Sequence, residues 1–264
     1  MPITFAHPVA AIPLRWPLAR LGVLSALVIG SIVPDVPLFV PIGVSRGASH
    51  SLAGLFTFCL PVGILAYLLY DLLLEEPITA LMPDGLQRRL AVVQRVARPV
   101  VLAPSVLISL LAGAATHVAW DSFTHGGAGV VQWLPAIEHR LFTISGYTVY
   151  VFNVLQHSSS VVGTVLMAVW IRRWYRQAPL DPSMATDTLP AVTRSRVLMT
   201  ITTVVVVAVM LAAVSRFPEQ LTLRALQPFA RRVIVSGLSS LVVAVTCYAI
   251  VWRLTWRPAA RGTA

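Results

Sequence analysis

The chain has 264 residues, 57% of them hydrophobic and 11% charged, with a formal net charge of +10. A charged share below half the soluble average of about 25% excludes an ordinary soluble domain. All 20 basic residues are Arg and gather between apolar runs, so membrane lipids, with their anionic headgroups, are the expected partner and nucleic acid is not.

The segment Pro2–Pro17 is apolar, carries His7 and makes about two to three turns of helix, too short to cross a bilayer. A surface turn at Arg15-Trp16-Pro17 would fold this half-helix back beside the next segment and return His7 toward Asp35. The first 14 residues lack a basic side chain, and Leu21–Val33 runs into Pro34-Asp35 instead of a small-residue cleavage site, so no signal peptide is expected. Span one is expected at about Leu18–Val33, stopped by Pro34-Asp35-Val36-Pro37. Span two is expected at about Ser51–Leu74, with Pro61 as a kink. A polar stretch to Arg98 follows, and within it Leu86–Val96 has the pattern of an interfacial helix.

Span three is expected at about Pro99–Phe123, before the turn Gly126-Gly127-Ala128-Gly129. Span four, about Tyr147–Ile171, is closed by Arg172, Arg173 and Arg176 with Trp170 and Trp174 as interface anchors. Gln177–Arg196 reads as a linker, and spans five and six fall at about Val197–Val214 and Val233–Trp252. The fold class is therefore an all-α polytopic membrane helix bundle of about six transmembrane helices plus an N-terminal half-helix. Residues 1–176 form its polar-site bundle, 177–196 its linker and 197–264 two further spans and a tail. Cys59 and Cys247 lie in apolar runs without redox or metal spacing and read as small core residues. Assigning Arg to alternate faces puts 14 on one side and 6 on the other. By the positive-inside rule the C-terminus is then cytoplasmic and the ends bearing Asp35, His50 and Asp121 face outward from the cell (inner) membrane.

Within span three, Thr116-His117-Val118-Ala119-Trp120-Asp121-Ser122-Phe123-Thr124-His125 places His117, Asp121 and His125 at i, i+4 and i+8. Each step drifts by about 40° and climbs about 6 Å, so all three project from one helical face. Five of the six His lie at or inside apolar segments: His7, His50, His117, His125 and His157, the last deeper than the others. Asp35 ends span one and His50 opens span two, so an up-and-down tracing brings these groups to one end of the bundle. Each has an ordinary reading: a helix stop for Asp35, an N-cap for Ser49-His50-Ser51, a hydrogen-bonded core residue for His157. Together they need partners in a low-dielectric setting, and a metal ion satisfies them at once. Imidazole with carboxylate and no thiolate makes zinc the first choice.

These motifs also resemble a known family. Thr4-Phe5-Ala6-His7-Pro8, Gly30-Ser31-Ile32-Val33-Pro34-Asp35, Arg46-Gly47-Ala48-Ser49-His50-Ser51, the span-three run and Gln156-His157-Ser158-Ser159-Ser160 resemble, over about residues 1–175, a family of prokaryotic integral membrane proteins known as domain of unknown function 4184. More distantly the pattern is similar to membrane-bound metal-dependent hydrolases and to zinc-dependent phospholipase C. That resemblance implies His117 and Asp121 as ligands, with His7, Asp35 and His50 as their partners. There are departures: Ser49 stands where the hydrolase pattern has Thr, and Val161, four after His157, stands where the phospholipase motif has an acid. The expected function is a metal-dependent hydrolase of a lipid or lipid-linked phosphoester. Asp35 or Asp121 would orient the attacking water, and Arg46 would pair with phosphate or anchor a headgroup. A divalent-cation or proton transporter and a non-catalytic scaffold are the alternatives.

Overall fold

A computed structural model describes residues 4–96, 103–144, 146–180, 189–215, 217–218, 220 and 222–255. The expected start of span three at 99–102, the linker residues 181–188 and the tail from 256 lie outside them. Five helices are long and apolar enough to cross a membrane: Leu52–Leu81, Pro104–Thr124, Val151–Gln177, Ala191–Ser215 and Ala225–Thr255. The chain is thus an all-α polytopic membrane bundle.

The first apolar segment differs from its expected form. It folds as a regular helix only over Leu24–Gly30, continues as a 3-10 turn at Val33–Asp35 and ends in Val36–Phe39. Pro34 and Pro37 lack the N–H groups an α-helix would use there. The segment is therefore a short broken helix, and the full-length spans among the described residues number five. In Leu52–Leu81 the helix is wound as a π-turn over Leu55–Cys59, just before Pro61, where a kink is expected. One further element goes beyond those expected: an antiparallel hairpin of Arg140–Ile144 and Tyr147–Tyr150 precedes the fourth long helix. Gly146 turns it at a φ of 75°, a conformation that costs glycine no steric strain.

The chain forms two compact units from interleaved segments. The first comprises residues 1–67, 99–172 and 217–231 and contains every candidate site residue. Its core is built on Leu24–Gly30 packed against Pro104–Thr124, with Ala26, Val106, Leu110 and Tyr67 in one cluster and Val33, Leu55, Cys59 and Ala114 in the next. The two helices touch backbone to backbone. A Cβ on Gly30 would collide with the Leu110 carbonyl, and one on Gly113 with the Leu27 carbonyl and, at 2.8 Å, the Ser31 nitrogen. Buried Ser109 fixes the start of the short helix, accepting from the Val23 N–H (2.9 Å) and donating to the Leu21 carbonyl (2.8 Å).

The second unit comprises residues 68–98, 173–216 and 232–264. The amphipathic Asp84–Val96 helix forms here, anchored by the Gln87 amide on the Met82 carbonyl (2.7 Å) and by Asp84 on Arg194 (3.2 Å). Ala80, Leu189 and Trp252 make its core, and Arg253 pairs with Glu76 at 2.6 Å.

Candidate metal centre

The site grows from the Gly30/Gly113 contact. Because the helices meet at van der Waals distance, the carbonyl of Ser31, just past the end of the short helix, reaches His117 one turn beyond Gly113. His117 is fully buried, and its Nδ1 lies 2.7 Å from that carbonyl. A carbonyl only accepts, so Nδ1 carries the proton and the Nε2 lone pair is left to point into the site. The Val33–Asp35 turn then sets Asp35 beside it, with Oδ1 3.7 Å from His117 Nε2. Thr4 holds the other oxygen, its hydroxyl donating to Asp35 Oδ2 at 2.7 Å.

His50 enters from a separate turn. Ser45 caps the one-turn helix Arg46–Ser49, accepting from the Ala48 N–H, and Ser51 caps the next helix through the Gly54 N–H. Between these caps His50 Nδ1 lies 2.9 Å from Ser49 Oγ and 3.1 Å from the Arg46 carbonyl. Its Nε2 faces the carboxylates, 3.6 Å from Asp35 Oδ1 and 3.2 Å from Asp121 Oδ2. Asp121 is one turn along from His117, whose Nε2 lies 3.5 Å from the same Oδ2. Arg46 Nη2 donates to that oxygen as well.

Four residues therefore converge. Asp35, His50, His117 and Asp121 each offer one ligand atom, all within 4.8 Å of one another. The imidazole-to-carboxylate separations of 3.2–3.7 Å match the roughly 3.3 Å edge of a tetrahedron with metal–ligand bonds of about 2.0–2.1 Å. His50 Nε2, His117 Nε2 and Asp121 Oδ1 are buried and have no hydrogen-bond partner. Orphaned buried polar atoms are rare in folded proteins, and here two of them, His50 Nε2 and His117 Nε2, face the same Asp121 oxygen, while Asp121 Oδ1 lies on the side of His7, whose two ring nitrogens are likewise unpartnered. The donor set fits a divalent ion, with both His held by a backbone-side bond at Nδ1 in the manner of metal-ligating imidazoles.

The remaining expected residues take different places. His7 is buried, stacked on His117 with ring centroids 3.8 Å apart and covered by Trp120 at 5.3 Å. Its Nε2 lies 3.6 Å from Asp121 Oδ1. Burial pushes its imidazole down to about 3, so it is neutral at pH 7. The half-helix thus does return His7 to Asp35 and its neighbours. His125 Nδ1 stands 3.5 Å from Asp121 Oδ1, and its Nε2 lies 3.0 Å from the Gln156 amide nitrogen. Gln156 therefore occupies the lone pair that a metal would need, and His125 borders the four-residue cluster. Burial pushes the His125 imidazole down to about 4. His157 is not brought in: it is exposed, about 100° around the helix from buried Gln156. Thr4, Ser31 and Gln156 join the site without being expected there, although all three lie inside the motifs that carry the family resemblance.

A membrane helix bundle with a buried His/Asp cluster at one end of a span is the class that fold and site define. The chain belongs to the family described as Domain of unknown function (DUF4184), whose family model matches residues 1–250. The match passes the expected limit near residue 175 and takes in most of the last two long helices. No curated protein and no solved structure matches the chain.

Proposed function

We propose that the protein is a membrane-embedded metal-dependent hydrolase acting on a phosphoester of a lipid or lipid-linked substrate. The observation that carries this is the convergence of Asp35, His50, His117 and Asp121, with unpartnered His50 Nε2 and His117 Nε2 facing two carboxylates. Zinc is the ion that two neutral imidazoles and two carboxylates suit best. When bound, such an ion polarises a phosphoryl or carbonyl oxygen and lowers the pKa of water to near neutrality. The chain's own residues supply the rest. Asp35, steadied by Thr4, and Asp121 accept protons and orient water at the site. Neutral His7 and Trp120 exclude bulk solvent from the inner side.

The more distant resemblance to metal-dependent hydrolases supports the reaction class. The position of His117 and Asp121 in the last two turns of Pro104–Thr124 favours a substrate that comes from the bilayer surface. The Arg distribution supports a cytoplasmic C-terminus in the cell (inner) membrane and a site that faces outward. The test is turnover of a panel of phosphomonoesters, phosphodiesters and carboxyl esters by purified protein with and without zinc. Zinc-dependent cleavage of a phosphoester that is lost in Asp121→Asn is expected. Tight zinc binding with no cleavage across the panel would favour cation transport instead.

A further inference from the structure

The side chain that sets Arg46 apart is its exposure. The ligand side chains of His50, His117, Asp35 and Asp121 are at most 9% exposed, whereas Arg46 is 37% exposed. Its guanidinium donates to Asp121 Oδ2, the same oxygen that both ligand imidazoles face. Among the described residues, Asp121 is its one acidic partner. The main chain of Arg46 is held independently: its carbonyl accepts from Ser49 Oγ at 3.1 Å and lies 3.1 Å from His50 Nδ1. The guanidinium can therefore swing outward without disturbing the backbone turn that aims His50.

A guanidinium and a divalent cation on one carboxylate oxygen repel each other, most strongly in a buried setting. We propose that Arg46 competes with the metal for Asp121 Oδ2, and that metal binding releases its guanidinium to clamp the phosphate of the substrate at the mouth of the site. This rests on the metal-dependent reading above and adds a role for Arg46. The exchange follows the charges: Arg46 offsets one of the two carboxylates, a divalent ion offsets both, and the released guanidinium then offsets the incoming anion. The planar fork suits a phosphate oxygen pair better than a carbonyl, so the substrate class is a phosphate ester.

The experiment uses full-length protein in detergent micelles and two readouts. Zinc affinity is measured by chelator competition for wild type, Arg46→Gln and Arg46→Lys. A charge-assisted hydrogen bond removed from competition corresponds to tighter zinc binding by on the order of tenfold in Arg46→Gln, with Arg46→Lys near wild type. Anion binding to the zinc-loaded protein is measured by calorimetry, with inorganic phosphate as one probe and phosphatidylglycerol in mixed micelles as the other. Binding of either probe by wild type and its loss in Arg46→Gln is expected. Binding of phosphate marks a soluble ester, and binding of the lipid alone marks a headgroup. If wild type binds zinc and Arg46→Gln binds it no more tightly, or if both anions bind Arg46→Gln as they do wild type, this inference is overturned while the metal site stands. If wild type takes up no zinc, both readings fall. A single cooperative thermal unfolding transition in Arg46→Gln, at whatever temperature the lost ion pair sets, verifies that the variant is folded.

Discussion

Gly113→Ala adds one methyl group a full turn away from the nearest ligand, yet it should damage the metal centre. The new Cβ would meet the Leu27 carbonyl and the Ser31 nitrogen, which are joined by a 3.0 Å hydrogen bond at the end of the short helix. Both are backbone atoms, so no rotamer change relieves the clash. Ala in place of Gly favours a helix interior by about 1 kcal/mol. Overpacking costs about 1–3 kcal/mol, and separating the helices weakens the 2.7 Å bond from His117 to the Ser31 carbonyl, which removes about 1 kcal/mol more. The balance is a destabilisation of about 1–3 kcal/mol, together with weaker zinc binding because Asp35 and the Ser31 carbonyl move away from His117. Thermal unfolding in detergent and chelator competition for zinc read the two effects. A Gly113→Ala variant with unchanged melting temperature and unchanged zinc affinity would refute the claim that this glycine contact positions the site.

Other outcomes follow from the same geometry. Thr4→Val removes the hydroxyl on Asp35 Oδ2 and should cost about 1.5–3 kcal/mol of stability, seen as a lower melting temperature that Thr4→Ser restores. Gln156→Leu should free His125 Nε2 and change zinc affinity by less than about tenfold, below the range for the partner of a ligand, because His125 only borders the four-residue cluster. His157→Ala should leave zinc affinity unchanged, because His157 is exposed and turned away from the cluster. Chelator competition on the purified variants checks the two zinc outcomes, and thermal unfolding checks the first.

Much of the site was legible because helix geometry is regular. His117 and Asp121 share a face at i, i+4 whatever surrounds them. Asp35 and His50 follow from where apolar runs begin and end, and the return of His7 follows from a half-helix too short to cross. The supporting groups were not legible. Which carbonyl meets His117 depends on how closely two helices approach, and that is set by Gly30 and Gly113 on different segments. Gln156 and His157 are adjacent in sequence, so only the rotation of one helix about its axis decides which faces His125. In the fold, hydropathy overestimates span one because it counts Leu18–Val23 as helix, whereas the backbone breaks at Ala19 (φ 46°) and at Gly22 and enters the regular helix only at Leu24. The hairpin escapes notice because Tyr147-Thr148-Val149-Tyr150 is apolar enough to be absorbed into the following span. Its β-branched and aromatic residues on either side of Ser145-Gly146 are the available signal.

Zinc K-edge X-ray absorption on the zinc-loaded protein tests the metal centre most directly, since it reports the donor atoms themselves. The expected spectrum is that of one tightly held zinc with only nitrogen and oxygen donors at about 2.0–2.1 Å, including two imidazoles, and with one imidazole fewer or no bound zinc in His117→Ala. Sulfur donors at about 2.3 Å, or a spectrum identical in His117→Ala, would contradict it.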